Sequence, residues 1–227
     1  MLKGKRGIIF GVANDHSIAW GISKKLFEHG AELALTYQND ALLKRIKPLS
    51  EEINSELLIE CDFSQPNSIK KCFDNLNQEW NNIDFVVHAA AFSNKNELNG
   101  RYIDTSLSNF INTLNISCYS FTEISRFASS MMNSGGSLLT LSFYGANKVM
   151  PNYNVMGVAK AALEMSVKYL SVDLGSNNIR VNAISAGPMR TIAGAAIAKA
   201  REVYKYTEKN SPLHRNVNLD ELGNTAL

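Results

Sequence analysis

Tyr153 and Lys160 stand seven residues apart at the head of a stretch of helical period that follows Pro151 and Asn152. On a helix that spacing is about two turns, so both side chains project from one face with Cα atoms about 10 Å apart, a gap that could hold a ribose. A phenol can donate a hydrogen bond to an oxygen gaining negative charge. A lysine beside it can grip sugar hydroxyls and lower the phenol pKa through its own charge. The pair suits reduction chemistry. The same spacing also fits a half-buried helix aromatic followed by a solvated charge, and by itself it leaves both readings open.

A second chemical signal lies near the N-terminus. The apolar run Gly7 to Val12 leads into a glycine turn at Gly11 and a helix start at Ser17-Ile18-Ala19-Trp20-Gly21. Free amides at a helix N-terminus, with the helix dipole behind them, favour a diphosphate, and Gly11 lets the backbone approach it. The spacing departs from G-x-G-x-x-G, and a structural turn with Ser17 as helix N-cap remains the alternative. The next strand ends Thr36-Tyr37-Gln38-Asn39-Asp40, where a dinucleotide-binding fold chooses between a ribose hydroxyl and a 2′-phosphate. No lysine or arginine appears there before Lys44, and Asp40 would repel an extra phosphate, so NADH is expected over NADPH. Gln38 fits a cofactor contact or an ordinary polar strand end equally well.

These residues need a frame that puts them at one edge. Six apolar runs of strand length, Gly7 to Val12, Glu32 to Tyr37, Leu57 to Cys61, Phe85 to Ala89, Ser137 to Leu141 and Arg180 to Ile184, alternate with helical stretches. That pattern predicts an α/β fold, a doubly wound parallel sheet of Rossmann type covered on both faces. Helix signals open at Ser17, closing at His29-Gly30, and after Pro66-Asn67 and Pro151-Asn152; Asn218 to Glu221 reads as a capping box. With 227 residues, 45% hydrophobic and 19% charged, and no repeat or Pro/Gly-rich linker, the chain reads as a single domain over 1–227. Lysine plus arginine number 23 against 21 acidic residues, which gives no reason to invoke nucleic acid or an anionic membrane. Cys61, Cys72 and Cys118 are too few and too widely spaced for a disulfide framework or a metal site, and read as reduced thiols of a cytoplasmic protein. The N-terminal apolar run is too short for a signal peptide or a membrane span.

Four segments together resemble the bacterial NADH-dependent enoyl-acyl-carrier-protein reductases, a divergent branch of the short-chain dehydrogenase/reductases. They are Gly11-Val-Ala with Ser17 to Gly21, Thr36 to Asp40, Pro151 to Gly157 with Lys160, and Arg180 to Pro188. Ordinary members of the superfamily carry tyrosine four residues before the lysine; here that position is Met156. The resemblance implies that Gly11, Ser17 and Ile18 hold the diphosphate side of NADH, that Gln38, Asp62 and Phe63 line the adenosine pocket, and that Ala90 sits beside the nicotinamide ribose. It further implies that Lys160 binds that ribose, that Met189, Arg190, Thr191, Ile192 and Ala193 pass along nicotinamide and diphosphate, and that Ser93 lies near the substrate thioester. Tyr153 would donate its hydroxyl to the thioester carbonyl as hydride reaches the β-carbon of a trans-2-enoyl chain carried on acyl carrier protein, the reduction that completes each cycle of fatty-acid elongation. The resemblance also implies a homotetramer and a mobile lid at 192–197, although apolar periodicity there fits a core-facing helix equally well.

Three departures from the family pattern bear on these expectations. The family's second active-site tyrosine falls on Phe143, which has no proton to donate, so that hydroxyl is lost or passes to Tyr144. Ala89, Ala90 and Ala91 follow His88 where a serine is usual. Family members continue past the equivalent of Leu227 through a helix and a seventh strand, so a truncated chain is expected, with an uncovered sheet edge. Two other readings compete with the reductase: a carbonyl or hydroxyl dehydrogenase, disfavoured by Met156, and an inactive remnant that at most binds dinucleotide.

Overall fold

The computed structural model describes residues 1–133, 135–195 and 200–227. Six strands, β1 (Arg6–Phe10), β2 (Glu32–Tyr37), β3 (Leu57–Glu60), β4 (Phe85–His88), β5 (Gly136–Ser142) and β6 (Ile179–Ser185), form one all-parallel sheet in the order β3-β2-β1-β4-β5-β6. The doubly wound topology expected from the sequence is present, with strand ends shifted by one or two residues. Side chains alternate between faces within each strand. Ile8 and Phe10 therefore enter one core with Val86, Phe121 and Leu138, while Ile9 enters the other with Leu35, Trp20 and Val87.

Helices α1 (Ile18–Glu28), α2 (Asp40–Glu52) and α3 (Ser68–Glu79) cross between the first four strands. α1 ends at Gly30, whose φ of 94° a side chain would resist, and the Gly30 amide donates back to Phe27. α2 starts on Asn39, whose side chain accepts the Leu42 amide. Beyond β4 come the short α4 (Lys95–Leu98), then α5 (Leu107–Leu114), a π-helical turn at Asn115–Tyr119, and α6 (Ser120–Ser129). The 22-residue α7 (Asn154–Gly175) packs on that π turn and on β6. After β6 follow α8 (Ile192–Ala195), α9 (Ala200–Asn210) and α10 (Leu219–Ala226).

α10 carries the capping box expected from the sequence, with Asn218 accepting the Glu221 amide and Glu221 accepting the Asn218 amide. It packs on α1 so closely that a Cβ on Gly223 would fall 2.7 Å from the Gly21 carbonyl oxygen and one on Gly21 would fall 2.8 Å from Leu219 Cβ. β6 is the outer strand, and Arg180, Asn182, Ala183 and Ser185 are exposed on it. All three cysteines are free and buried.

Candidate functional site

The strand order reverses between β1 and β4, and the carboxyl ends flanking such a switch diverge to leave a crevice. Here the crevice is a cleft of about 1420 Å³, larger than the 300–1,000 Å³ usual for one small ligand. Gly11 marks its floor. The φ of +102° and the Ala89 carbonyl oxygen, 2.4 Å from where a Cβ would lie, together admit glycine alone.

Ser17 occupies the N-cap position of α1 but makes no side-chain bond to the helix; its Oγ accepts the amides of Ala13 at 3.0 Å and Asn14 at 3.1 Å. The serine shapes the glycine turn instead, and the positive end of α1 is left uncapped where Ser17 and Ile18 line the cleft. A diphosphate fits that end by charge and by its demand for amide donors.

The far end of the cleft is built by the loops after β2 and β3. Gln38 Nε2 donates to Asp62 Oδ1 at 3.1 Å, and the same oxygen accepts the amide and hydroxyl of Ser64. Phe63 lies stacked on His88, with centroids 5.7 Å apart, and also meets Phe10. Its backbone is fixed by Asn115, which donates to the Phe63 carbonyl at 3.0 Å. Burial, then the carboxylates of Glu60 and Asp40, raise the Tyr37 phenol, so this corner carries negative charge. Arg45 also lines the cleft here, a cation that reading no further than Lys44 passed over. Gln38, Leu42 and Arg45 line it at i, i+4 and i+7, a helical spacing that could have found it.

Ala90, Ser93, Phe143, Tyr153, Met156 and Lys160, the residues expected around the reacting groups, all line the cleft. Tyr153 is the residue preceding α7; only 7% of it is exposed, and its ring meets Phe143 edge-on with centroids 5.1 Å apart. A Cβ on Gly145 would reach within 2.4 Å of the Tyr153 ring, so glycine makes the room. Burial raises the Tyr153 phenol well above its ordinary value, with no opposing contribution from Lys160. The expected lowering of the phenol by the lysine is thus not found, and burial favours the protonated Tyr153.

Lys160, 6% exposed, donates from Nζ to the Leu141 carbonyl at 2.6 Å. Burial pulls its ammonium down to about 8, partly opposed by Cys118 and Glu164. Ser93 Oγ accepts from Thr113 at 2.9 Å and from Asn109 at 3.2 Å, so its hydroxyl is held facing the cleft wall. His88 is fully buried, bonded at Nδ1 to Thr140 and at Nε2 to Ser120, each at 2.9 Å. Burial, and then the charge of Lys160, hold it neutral with a pKa lowered to about 3.

The segment after β6 agrees with the expectations in part. Met189, Thr191 and Ile192 line the cleft, whereas Arg190 does not, and the side chain of Ala193 lies outside what the structure describes. Arg190 is exposed and lies over the Tyr204 ring, 6.0 Å from its centroid. Met189 is held through its carbonyl, which accepts the Thr191 amide and the Tyr204 hydroxyl, and Thr191 caps α8 through the Gly194 amide. Tyr204 itself, absent from the sequence expectations, closes this wall from α9, and no local pattern around it signals that. α8 faces the cleft with Ile192 half exposed, and Ala196 and Ile197 of the expected lid lie outside the described residues. Tyr144 is 55% exposed and off the cleft wall, so it does not replace the hydroxyl lacking on Phe143. No group of three metal-ligating side chains occurs among the described residues.

Residues 11–227 match the family model described as "Enoyl-(Acyl carrier protein) reductase". The chain is 56% identical, over its whole length and 85% of the relative's, to the Rhizobium meliloti "Enoyl-[acyl-carrier-protein] reductase [NADH] 2". It is 54% identical, over its whole length and 87% of the relative's, to the Rickettsia typhi "Enoyl-[acyl-carrier-protein] reductase [NADH] FabI". Among solved structures, the Anaplasma phagocytophilum enoyl-acyl-carrier-protein reductase in complex with NAD superposes with a TM-score of 0.95 at 56% identity, over 99% of this chain and 86% of that one. A Bacillus cereus enoyl-acyl-carrier-protein reductase with NADP+ and an indole naphthyridinone superposes with a TM-score of 0.96 at 42% identity, over 99% of this chain and 88% of that one.

Proposed function

The chain belongs to the enoyl-(acyl carrier protein) reductase family, and from that membership and the cleft we propose that it reduces the double bond of a trans-2-enoyl thioester on acyl carrier protein with NADH. The observation that carries this reading is the reacting wall: Tyr153 and Lys160 share it, and Met156 occupies the place four residues before the lysine. A carbonyl dehydrogenase on this fold would need a phenol where that thioether stands.

NADH fits the cleft by the uncapped start of α1, the Gly11 turn and the buried lysine at the other end. When bound it supplies the hydride that reduces the β-carbon. Gly11, Ser17 and Ile18 would hold its diphosphate, Gln38, Asp62 and Phe63 its adenosine, and Ala90, Met189, Thr191, Ile192 and Lys160 its nicotinamide side. Lys160, charged below about pH 8, grips ribose hydroxyls. Tyr153, kept protonated by burial, donates its hydroxyl hydrogen bond to the thioester oxygen and stabilises the negative charge that gathers there. Ser93 lies beside the thioester. Phe143 packs against Tyr153 and excludes water from it.

The chain works as one domain over 1–227, in the cytoplasm, as a homotetramer. No helix among the described residues is long and apolar enough to cross a membrane. Val158, Met165, Tyr169 and Val172 of α7, with Leu107 and Ile111 of α5, expose apolar side chains along these two helices, and subunit contact would cover them. The test is NADH consumption, followed by absorbance, with crotonyl or longer trans-2-enoyl thioesters. Turnover that Tyr153→Phe lowers by about 10²- to 10³-fold supports the reading, and none at any chain length refutes it.

A further inference from the structure

Glu164 touches nothing that reacts, yet it binds both elements that frame the reacting wall. It sits on α7 one turn beyond Lys160, and Ser142 donates to its Oε1 at 2.6 Å while Asn147 donates to its Oε2 at 3.0 Å. Ser142 is the last residue of β5 and Asn147 lies just past the turn that follows. Between them are Phe143, whose ring meets Tyr153, and Gly145, whose missing side chain makes room for that ring. The neighbouring residue on each element is joined in the same way, Lys160 Nζ donating to the carbonyl of Leu141. Strand β5 and helix α7 are thus clamped by two successive side chains of one helix face.

We propose that Glu164 is a positioning residue for the enoyl reduction: its carboxylate ties the 142–147 turn to α7, setting the seat of Tyr153, and places a negative charge beside the Lys160 ammonium. This rests on the reductase reading for its chemistry, although the geometry stands without it. The groups that act on Lys160 from the packed elements are Cys118 of the π turn, Glu164 of its own helix and His88 of β4, and His88 is neutral above about pH 3. Cys118 is a buried thiol whose pKa burial raises. Glu164 is therefore the standing negative charge among them, and it favours the charged lysine against the desolvation that disfavours it.

Two variants separate the two parts. Glu164→Gln keeps a side chain of the same length that accepts from Ser142 and, once the exposed Asn147 amide turns over, bonds there too, but it has no charge. Lys160 titration, read by NMR of nitrogen-labelled lysine with Lys160→Arg assigning the signal, is expected to move down by about half to one pH unit in Glu164→Gln, and the alkaline limb of kcat/KM to move with it. Glu164→Ala releases the turn as well and is expected to lower kcat roughly tenfold or more while the KM for NADH changes less, because misplacing the donor costs rate before affinity. An unmoved Lys160 titration in Glu164→Gln, or parental kcat in Glu164→Ala, overturns the proposal. If the parent chain turns over no enoyl thioester, the reductase reading fails, while the Lys160 titration still decides this one.

Discussion

At the scale of single residues, burial does most of the chemical tuning. It pushes the Tyr153 phenol up and the Lys160 ammonium down to about 8, so near neutral pH one is a neutral donor and the other a cation at the edge of its range. Removing the hydroxyl deletes a hydrogen bond that strengthens as charge develops. Tyr153→Phe is expected to lower kcat by about 10²- to 10³-fold and leave the NADH dissociation constant within about threefold, measured by steady-state kinetics and fluorescence titration. Because Lys160 is charged below about pH 8 and neutral above it, NADH affinity is expected to fall as pH rises from 7 to 9, and to be weak and nearly pH-independent over that range in Lys160→Ala. The tyrosine and lysine were legible because their spacing puts them on one face and the family resemblance then assigns the pair its chemistry, which spacing alone leaves open. The destination of the Ser17 hydroxyl was not: the sequence marks a helix start, but whether the oxygen caps the helix or the preceding turn depends on how that turn folds back.

At the scale of elements, hydrophobic period and breakers placed the strands and the starts of α1, α3, α7 and α10. What escaped was contact between elements distant in sequence. Tyr204 reaches Met189 across the segment between β6 and α9, and Arg45 reaches the cleft because α2 turns that face inward. Close approach of α10 to α1 likewise rests on Gly21 and Gly223, either of which reads in sequence as an ordinary weak spot in a helix. A side chain there must push backbone, not a flexible tip. Gly223→Val is expected to cost about 1–3 kcal/mol and lower the melting temperature by about 2–10 °C in a circular dichroism melt.

At the scale of the whole molecule, the exposed apolar rows of α5 and α7 are the surface that the proposed homotetramer would cover. Tyr169, 69% exposed, and Val172, 79% exposed, sit one turn apart on α7. Tyr169→Asp with Val172→Asp is expected to shift the sedimenting species toward smaller oligomers while the cleft residues stay in place. The core itself responds to acid through His88. Its folded pKa of about 3 lies below the ordinary 6.5, so the unfolded chain binds more protons between those values and stability is lost as pH falls below about 6.5. His88→Gln is expected to be less stable at pH 7 yet to show a flatter decline in melting temperature between pH 7 and 4.

The contact of α10 with α1 also sets a timetable for folding. Gly21 emerges from the ribosome early, whereas Leu219 and Gly223, which complete its packing, follow about 200 residues later. At about 5–20 residues per second, α1 waits roughly 10–40 s for its partner with that glycine face bare. The two central strands, β1 and β4, can pair long before then, so the nascent chain passes through a half-built sheet with one helix open to chaperones or to another nascent copy.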